Sequence, residues 1–500
     1  MPLFKRPIEQ ELFSLRLRAG KPMTELEFYA KELEAWESSP ERREMLDGDR
    51  YYTGDHDILK RRRTAIGPDG KLIPVDNLPN NRIVDNQYAK HVDQKTNYLL
   101  GQLVSFTCDN DAYVAEVKKV LGMKFMRTLK SAGVEAFNAG ISWLYPYYNR
   151  NGELAFRVFP GYEVMPFWSD AAHTELDSAL RLYPVEVYYG TEKKIIKKVD
   201  LFTAEGVATY IFENGALKPE TERQSYVKVK DSRGNEQALN WERFPLIPIK
   251  YNAKEVPLIR RGRSLQDAIN LLQSDFVNNM EEDVRNTVLV LKNYDGQDLG
   301  EFRRNLTTYG AIKVRTVEGT DGGVDSLEIT VNAENYKTVL ELLKKALIEN
   351  LRSYDAKDDR LSGTPNQMNI QSMYCDIDLD ANAMETELQA SFEDILWFVN
   401  TYLANTGKGS FENEDITVIF NRDILINESE AIDNCAKSVG IISDETIVAM
   451  HPWVDDPAAE LDRLKTQKEE AQAAADPYRA AFEQANAMRN PEGGDPVNEE

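Results

Sequence analysis

Asp376, Asp378 and Asp380 alternate as D-x-D-x-D and Glu387 stands at position twelve, the ligand spacing of a calcium-binding EF-hand loop. That loop needs a glycine at position six for its sharp turn, and here the residue is Ala381. Ile377 and Leu379 are apolar where the loop is polar, and Glu387 falls in a stretch of helical periodicity. The run therefore reads as a loop with Asp380 near the N-cap of the next helix, where a carboxylate complements the helix dipole. Gly407–Ser410 (GKGS) has the lysine of a phosphate-binding loop but lacks the upstream glycine and the following Ser or Thr, so it reads as a turn. Ala436–Val448 (AKSVGIISDETIV) has helix-turn-helix spacing about Gly440, yet its second helix would bring Asp444 and Glu445 to phosphate, and Ser443 fits an N-cap. His56, His91, His173 and His451 form no pair at metal-ligand spacing, and Cys108, Cys375 and Cys435 include no CxxC. No metal, cofactor or enzymatic site is expected, and the thiols are expected to be reduced.

Charge bounds the partners. Sixty Lys and Arg against 83 Asp and Glu leave a formal net charge of −23, which argues against tight DNA binding but not against a surface along which DNA slides. Basic runs at Lys60–Arg63, Lys193–Lys198 and Arg260–Arg263 fit solvated surface or pairing with the acidic excess. Lys337, Lys344 and Lys345 lie on one helical stretch; they fit either transient phosphate contacts, if that helix lines a channel, or salt bridges between subunits. No stretch approaches the roughly 20 apolar residues of a membrane span and the N-terminus has no signal-peptide run, so cytoplasmic synthesis without a membrane is expected.

The elements that would position these residues follow from periodicity. Thr24–Trp36, Asn86–Leu100, Val114–Val120 and Met123–Asn138 read as helices, with Ser39-Pro40 starting another and residues 67–81 as loop. Residues 142–251 are aromatic, β-branched and punctuated by turns, a mostly antiparallel β region with a hairpin turn at Asn149–Gly152. Ser264–Asn286 places Leu265, Ile269, Leu272, Phe276, Met280 and Val284 at helical spacing. Continuous from Arg261, this helix would be roughly 39 Å long at about 1.5 Å per residue. A β-rich insert follows (TVLVLKNY, AIKVRTV and a Gly-rich turn, EGTDGGVD), then a second long helix, Ala333–Tyr354, with Tyr336, Leu340, Leu343, Leu347, Leu351 and Tyr354 as its stripe. Two long helices flanking an insert predict a stalk with a cap. Asp355–Asp378 reads as a long polar loop, Asp380–Leu403 as a helix with Met384, Leu388, Phe392, Ile395, Leu396 and Val399 inward, ITVIFN as a strand, and Ser429–Met450 as two helices broken at Gly440. The acidic tail after Asp455 is expected to be disordered.

Three segments in order resemble the portal proteins of long-tailed bacteriophages. They are YYTGDHDI with PNNRIVDNQYAKHVDQKTNYLLGQ (Tyr51–Gln102), FPLIPIKYN with SLQDAINLLQSDFVNNMEEDVRN (Phe244–Asn286), and Ile416–Leu464, which carries a Gly-Ile-x-Ser-x-Glu-Thr turn. In the loop before the late helix, where the family often has a small-residue and aliphatic run after Ser-Gly, this chain has TPNQMNIQSM after Ser362-Gly363. The resemblance implies an α+β, predominantly helical portal fold. It implies a wing over 1–255 (β-rich 142–251), a first stem helix over 256–286, a clip over 287–332 and a second stem helix over 333–354. A tunnel loop over 355–378, a wing helix and strand over 379–428, a helical crown over 429–475 and a tail over 476–500 complete it. Asn366, Gln367, Met368, Asn369 and Gln371 would face DNA in the tunnel loop, and Lys337, Lys344 and Lys345 would line the stem. The implied assembly is a closed homo-oligomeric ring, typically dodecameric, at the portal vertex of the virion capsid. Its implied partners are non-specifically held double-stranded DNA, terminase, head-completion or adaptor proteins, and capsid and scaffolding proteins. Two other readings predict differently: another phage head structural protein would bind a separate assembly without forming a large ring, and a DNA-processing enzyme would show metal-dependent cleavage or ATP turnover lost on changing Asp376 or Asp378.

Overall fold

Polar caps start most of the helices. Thr24 and Glu27 form a reciprocal capping box at the head of α1 (Glu25–Glu37), and Ser39 caps α2 (Pro40–Tyr52), whose proline sits where no N–H is missed. The computed structural model describes residues 23–66, 70–75, 78–230, 236–283, 288–292, 323–327, 333–356, 367–422, 427–454 and 457–475. Two compact units result: one of Met1–Tyr354 with Asp376–Asp423, the other of Asp355–Cys375 with Ile424–Glu500.

In the larger unit, β1 (Thr64–Ile66) and β2 (Leu72–Pro74) pair antiparallel, so part of the expected 67–81 loop is a hairpin; the three-residue strand is too short for a periodicity signal. Then come α3 (Gln87–Leu100), capped by Asn86, β3 (Ser105–Thr107), α4 (Asp111–Val120) and α5 (Met123–Ala139). Gly140 ends α5 at φ 81°, and a Cβ there would stand 2.2 Å from the Glu255 carbonyl oxygen, so only glycine fits. The β region follows as β4 (Ile141–Tyr148), β5 (Leu154–Phe159), β6 (Val164–Trp168), β7 (Leu176–Tyr189), β8 (Glu192–Thr203), β9 (Gly206–Glu213), β10 (Ala216–Pro219), β11 (Val227–Lys230), β12 (Glu236–Leu239) and β13 (Ile247–Lys250). These strands form a five-stranded sheet in the order β10-β9-β8-β7-β6, a three-stranded sheet β13-β4-β5 and the pair β11-β12, all antiparallel as expected. Helix α1 lays Phe28, Tyr29 and Leu33 on the five-stranded sheet against Phe167, Leu180 and Leu201, and the Tyr29 hydroxyl donates to Ser178 Oγ at 2.8 Å.

The long elements come last: α6 (Ile259–Asp283), the antiparallel pair β14 (Val288–Lys292) and β15 (Gly323–Leu327), α7 (Ala333–Asn350), α8 (Gln367–Asn405) and β16 (Thr417–Ile419), which pairs with β3. Gly323–Asp325 falls in the expected Gly-rich turn (EGTDGGVD); pairing of Gly323–Leu327 with Val288–Lys292 outweighs the glycine and aspartate. AIKVRTV lies outside the described residues. Helix α8 starts at Gln367, inside the expected loop. Ile370, Met373, Tyr374 and Ile377 stand at i, i+3, i+4 and i+7 and are all buried, a helical stripe hidden among polar neighbours. Asp380 is therefore mid-helix and not an N-cap. In α8 every residue expected inward, from Met384 to Val399, is buried.

The smaller unit holds the first turns of α8, as far as Cys375, then α9 (Glu428–Ser438) and α10 (Asp444–Ala449), with Gly440 at φ 82° between them, and α11 (Pro457–Ala475). The acidic segment expected to be disordered is helical as far as Ala475, opened by a proline at N1 and rich in alanine. Residues 476–500 lie outside the described residues.

Candidate functional site

Helices α6 and α7 pack antiparallel. At one end Gly262 lets Leu347 and Leu351 approach, since a Cβ there would come within 2.8 Å of Leu351. At the other, the Phe276 and Tyr336 rings meet tilted at 4.9 Å and Asn279 Nδ2 donates to the Tyr336 hydroxyl at 2.9 Å. Twenty-five residues make α6 about 37 Å long.

Its most buried stripe is polar. Gln266, Asn270, Ser274 and Asn278, four residues apart, are fully buried. Three accept alternate backbone N–H groups of the extended stretch before α3, Asn278 Oδ1 from Asn81 at 2.7 Å, Ser274 Oγ from Ile83 at 2.9 Å and Asn270 Oδ1 from Asp85 at 3.0 Å, and Gln266 Oε1 accepts from Tyr88 N–H in the first turn of α3 at 2.9 Å. Alternate residues of an extended chain lie about 6.6 Å apart and every fourth helical residue about 6.0 Å apart. The two periods match, so a segment without a sheet partner satisfies its N–H groups on a helix face. Met280, one of the apolar residues at helical spacing, is 54% exposed, because the ladder occupies the face that meets the protein; Val284 is outside the described residues. The signal was present as Q-x-x-x-N-x-x-x-S-x-x-x-N, but polar residues at helical spacing ordinarily mark a solvated face.

The ladder reaches His56, which is fully buried. Asn270 commits its Oδ1 to Asp85 N–H, so its Nδ2 donates to His56 Nδ1 at 2.7 Å and His56 Nε2–H donates to the Tyr51 carbonyl at 3.0 Å. Both ring nitrogens are thus committed in the neutral form, and burial lowers the imidazole pKa. Beside it Arg263 joins Asp47 and Asp57, at 2.5 and 2.8 Å. Burial alone would raise the Asp57 carboxyl, but Arg263 and Arg50 hold it down at about 2.

A second anchor sits where α7 ends. Arg352 takes φ 50° and Ser353 N–H returns to the Ile348 carbonyl, a left-handed helix end without the usual glycine. Lys95, nearly fully buried, donates to the Arg352 carbonyl at 2.9 Å and to Asp380 Oδ2 at 2.8 Å. Tyr251 and Arg261 also reach the Asp380 carboxylate, at 2.7 and 3.1 Å. Burial lowers the Lys95 ammonium to about 8 against the pull of Asp380. Burial works to raise Asp380, and Lys95 with its other partners keeps it below the usual carboxylate range.

Of the stem lysines, Lys344 pairs with Asp85 at 2.8 Å, Lys337 is 77% exposed and lies 3.9 Å from Glu341, and Lys345 is exposed. They do not converge on one point. Gln367, Met368, Asn369 and Gln371 begin α8 instead of lying in a loop, and Asn366 is outside the described residues. Gln367 is engaged locally: its N–H donates to Glu430 and its Oε1 accepts from Asn427 N–H at 3.1 Å. Met368, Asn369 and Gln371 are exposed. Of the EF-hand-spaced acids, Asp378 accepts from Tyr98 and pairs with Arg422, and Asp380 belongs to Lys95. Among the described residues no group of three metal-ligating side chains converges. The basic runs are largely neutralised within the chain: Arg61 by Asp275, Arg260 by Glu44, Lys193 by Glu186 and Lys198 by Glu220.

The family model described as phage portal protein, SPP1 Gp6-like, matches residues 37–474. The portal protein of Bacillus phage SPP1 is 31% identical over 427 residues, covering 85% of this chain and 83% of that protein. The portal protein of Clostridium phage phiCD119 is 27% identical over 444 residues, covering 86% and 94%. Among solved structures, a chain from the neck of a native GTA particle computed with C12 symmetry aligns over 73% of this chain and 88% of its own length, at 11% identity and TM-score 0.36.

Proposed function

This chain belongs to the SPP1 Gp6-like family of phage portal proteins, and from that premise we propose that its copies close into a ring, typically of twelve, around a channel for double-stranded DNA. Portal proteins are structural components of the virion; a place at the capsid's portal vertex and a role without catalysis follow from that reading.

One observation carries it. The strut pair α6–α7 is locked on its inner face to its own protomer through the polar ladder, while Leu271 and Met280 on α6 and Val339 and Leu342 on α7 stay exposed. Helices that spend a whole buried stripe on one side and keep apolar residues on the other are suited to packing against the struts of neighbouring copies, which would cover those residues. Strand pair β14–β15, joined to both struts, would be the clip that meets terminase. The segment after α7, rooted by Lys95 and Asp380, would carry the tunnel loop, with Met368, Asn369 and Gln371 at its margin. Capsid, scaffolding and head-completion proteins would meet the outer parts. Lys337 and Lys345 supply sparse cations along the strut, enough for passing phosphate contacts and too few to hold DNA fast.

Native mass measurement with negative-stain microscopy of the purified chain tests this. Annular particles of a single closed stoichiometry are expected; a protein that stays monomeric across salt and concentration would overturn the reading.

A further inference from the structure

Helix α5 and the β4–β5 hairpin border an open groove of about 950 Å³. Lys119, Lys124, Arg127 and Lys408 stand along it, all exposed. Its walls are aromatic: Phe125 meets Phe156 edge-on at 5.1 Å, and Tyr147 and Tyr402 extend the surface. Met123 adds an exposed apolar lip, at 72%.

The acids around the groove are accounted for. Glu116 is shared by Lys119 and Lys408, and Glu153 accepts from Asn149 Nδ2 at 2.9 Å. Lys124 and Arg127 are left over. Neither side chain has an ion-pair partner among the described residues, whereas the basic runs elsewhere are largely neutralised by neighbouring acids. In a chain with a net charge of −23, two unpaired cations one turn apart above an aromatic floor form a local reversal of sign.

We propose that this groove docks an acidic, extended peptide segment of a partner protein. Its carboxylates would pair with Lys124 and Arg127, and an aromatic or aliphatic side chain would lie over the half-buried Phe156, which the buried Phe125 backs edge-on. Arg127 offers a carboxylate the bidentate geometry that guanidinium favours. Duplex nucleic acid suits the groove poorly: the surrounding chain repels a polyanion, and stacked, paired bases present no free face to aromatic walls.

The test uses the full-length protein. A displayed library of random twelve-residue peptides is selected on the wild-type chain and in parallel on K124E/R127E, with K118E as a control for an exposed lysine outside the groove. Recovered peptides are expected to combine Asp or Glu with an aromatic residue or Leu. As synthetic labelled peptides they should bind K124E/R127E at least about tenfold more weakly, the loss expected for two charge-assisted contacts. They should bind K118E unchanged, and should weaken between low and high salt. The milder K124Q/R127Q variant is measured alongside, so that loss of binding is separated from loss of fold by comparing melting curves. The proposal is overturned if the recovered peptides carry no acidic excess, if charge reversal leaves their binding intact, if K118E weakens it equally, or if a labelled twelve-nucleotide oligo-dT binds more tightly than the peptides.

Discussion

Helices α6 and α8 both carry apolar residues at helical spacing, yet the longest fully buried stripe of α8 is apolar and that of α6 is polar, with Ile259 and Ile269 as the buried apolar residues of α6. Helix α8 turns Met384, Leu388, Phe392, Ile395 and Val399 into the protein, where Phe392 meets Phe106, Phe125 and Phe420. Helix α6 turns in Gln266, Asn270, Ser274 and Asn278, and leaves Leu271 and Met280 in solvent. The difference lies in what each helix faces. Helix α8 meets side chains, which reward apolar contact; α6 meets a bare stretch of backbone whose N–H groups need acceptors. A helix that must hold an extended segment puts its polar residues inside, and its apolar Leu271 and Met280 are left on the outer side.

The comparison breaks most visibly at α8. Phe392→Ala should cost about 3–5 kcal/mol, the usual loss for emptying a buried aromatic site, read as a fall in the urea midpoint. A shift no larger than that of a surface substitution would mean that α8 is not the core element described. Lys95→Met should cost up to about 3 kcal/mol, because it takes from the Asp380 carboxylate its most buried cation and leaves Arg261 and the Tyr251 hydroxyl to compensate it; adding Asp380→Asn should recover a good part of it, and a double variant as unstable as the single one would show that Lys95 acts through packing alone.

At α6 the expected losses are smaller and of another kind. Asn270→Leu keeps the branched shape but orphans Asp85 N–H and removes the donor to His56 Nδ1, at about 1–3 kcal/mol for each group left unpaired. Amide exchange at Asp85 should quicken in the same variant; unchanged protection there would dissolve the ladder. The His56 prediction concerns sign. The folded-state pKa lies below the ordinary 6.5, so as pH falls through 6.5 the unfolded chain takes up a proton that the folded chain refuses, and stability falls. His56→Gln should flatten that part of the pH–stability curve relative to the wild type, and parallel curves would place the imidazole in water. Met280→Ser should change protomer stability by less than about 0.5 kcal/mol, as an exposed position does, while weakening assembly in native mass spectra. Assembly unaffected by that change would remove Met280 from any interface.

Much of this architecture can be read from local pattern. The capped starts at Thr24, Ser39 and Asn86, the hairpin turn after Tyr148, the two struts with an insert between them and the break at Gly440 each follow from a few neighbouring residues. The inward stripe of α8 does too, because an apolar stripe and an apolar environment agree. What escaped was of two kinds. The first turns of α8 were concealed because Ile370, Met373, Tyr374 and Ile377 are interleaved with polar residues, and a count of polarity outweighed their period. The buried face of α6, the bond between Lys95 and Asp380, 285 positions apart, and the cations over the α5 groove could not be read at all.

Sequence alone determined the order of elements, the paired struts and the overall charge, because each depends on composition or on residues within a turn or two of one another. Tertiary structure decided which face of α6 is inside, which carboxylates are spoken for and which cations remain free. A polar side chain's worth depends on whether a partner stands within hydrogen-bonding reach, and that distance exists only once distant parts of the chain have been brought together.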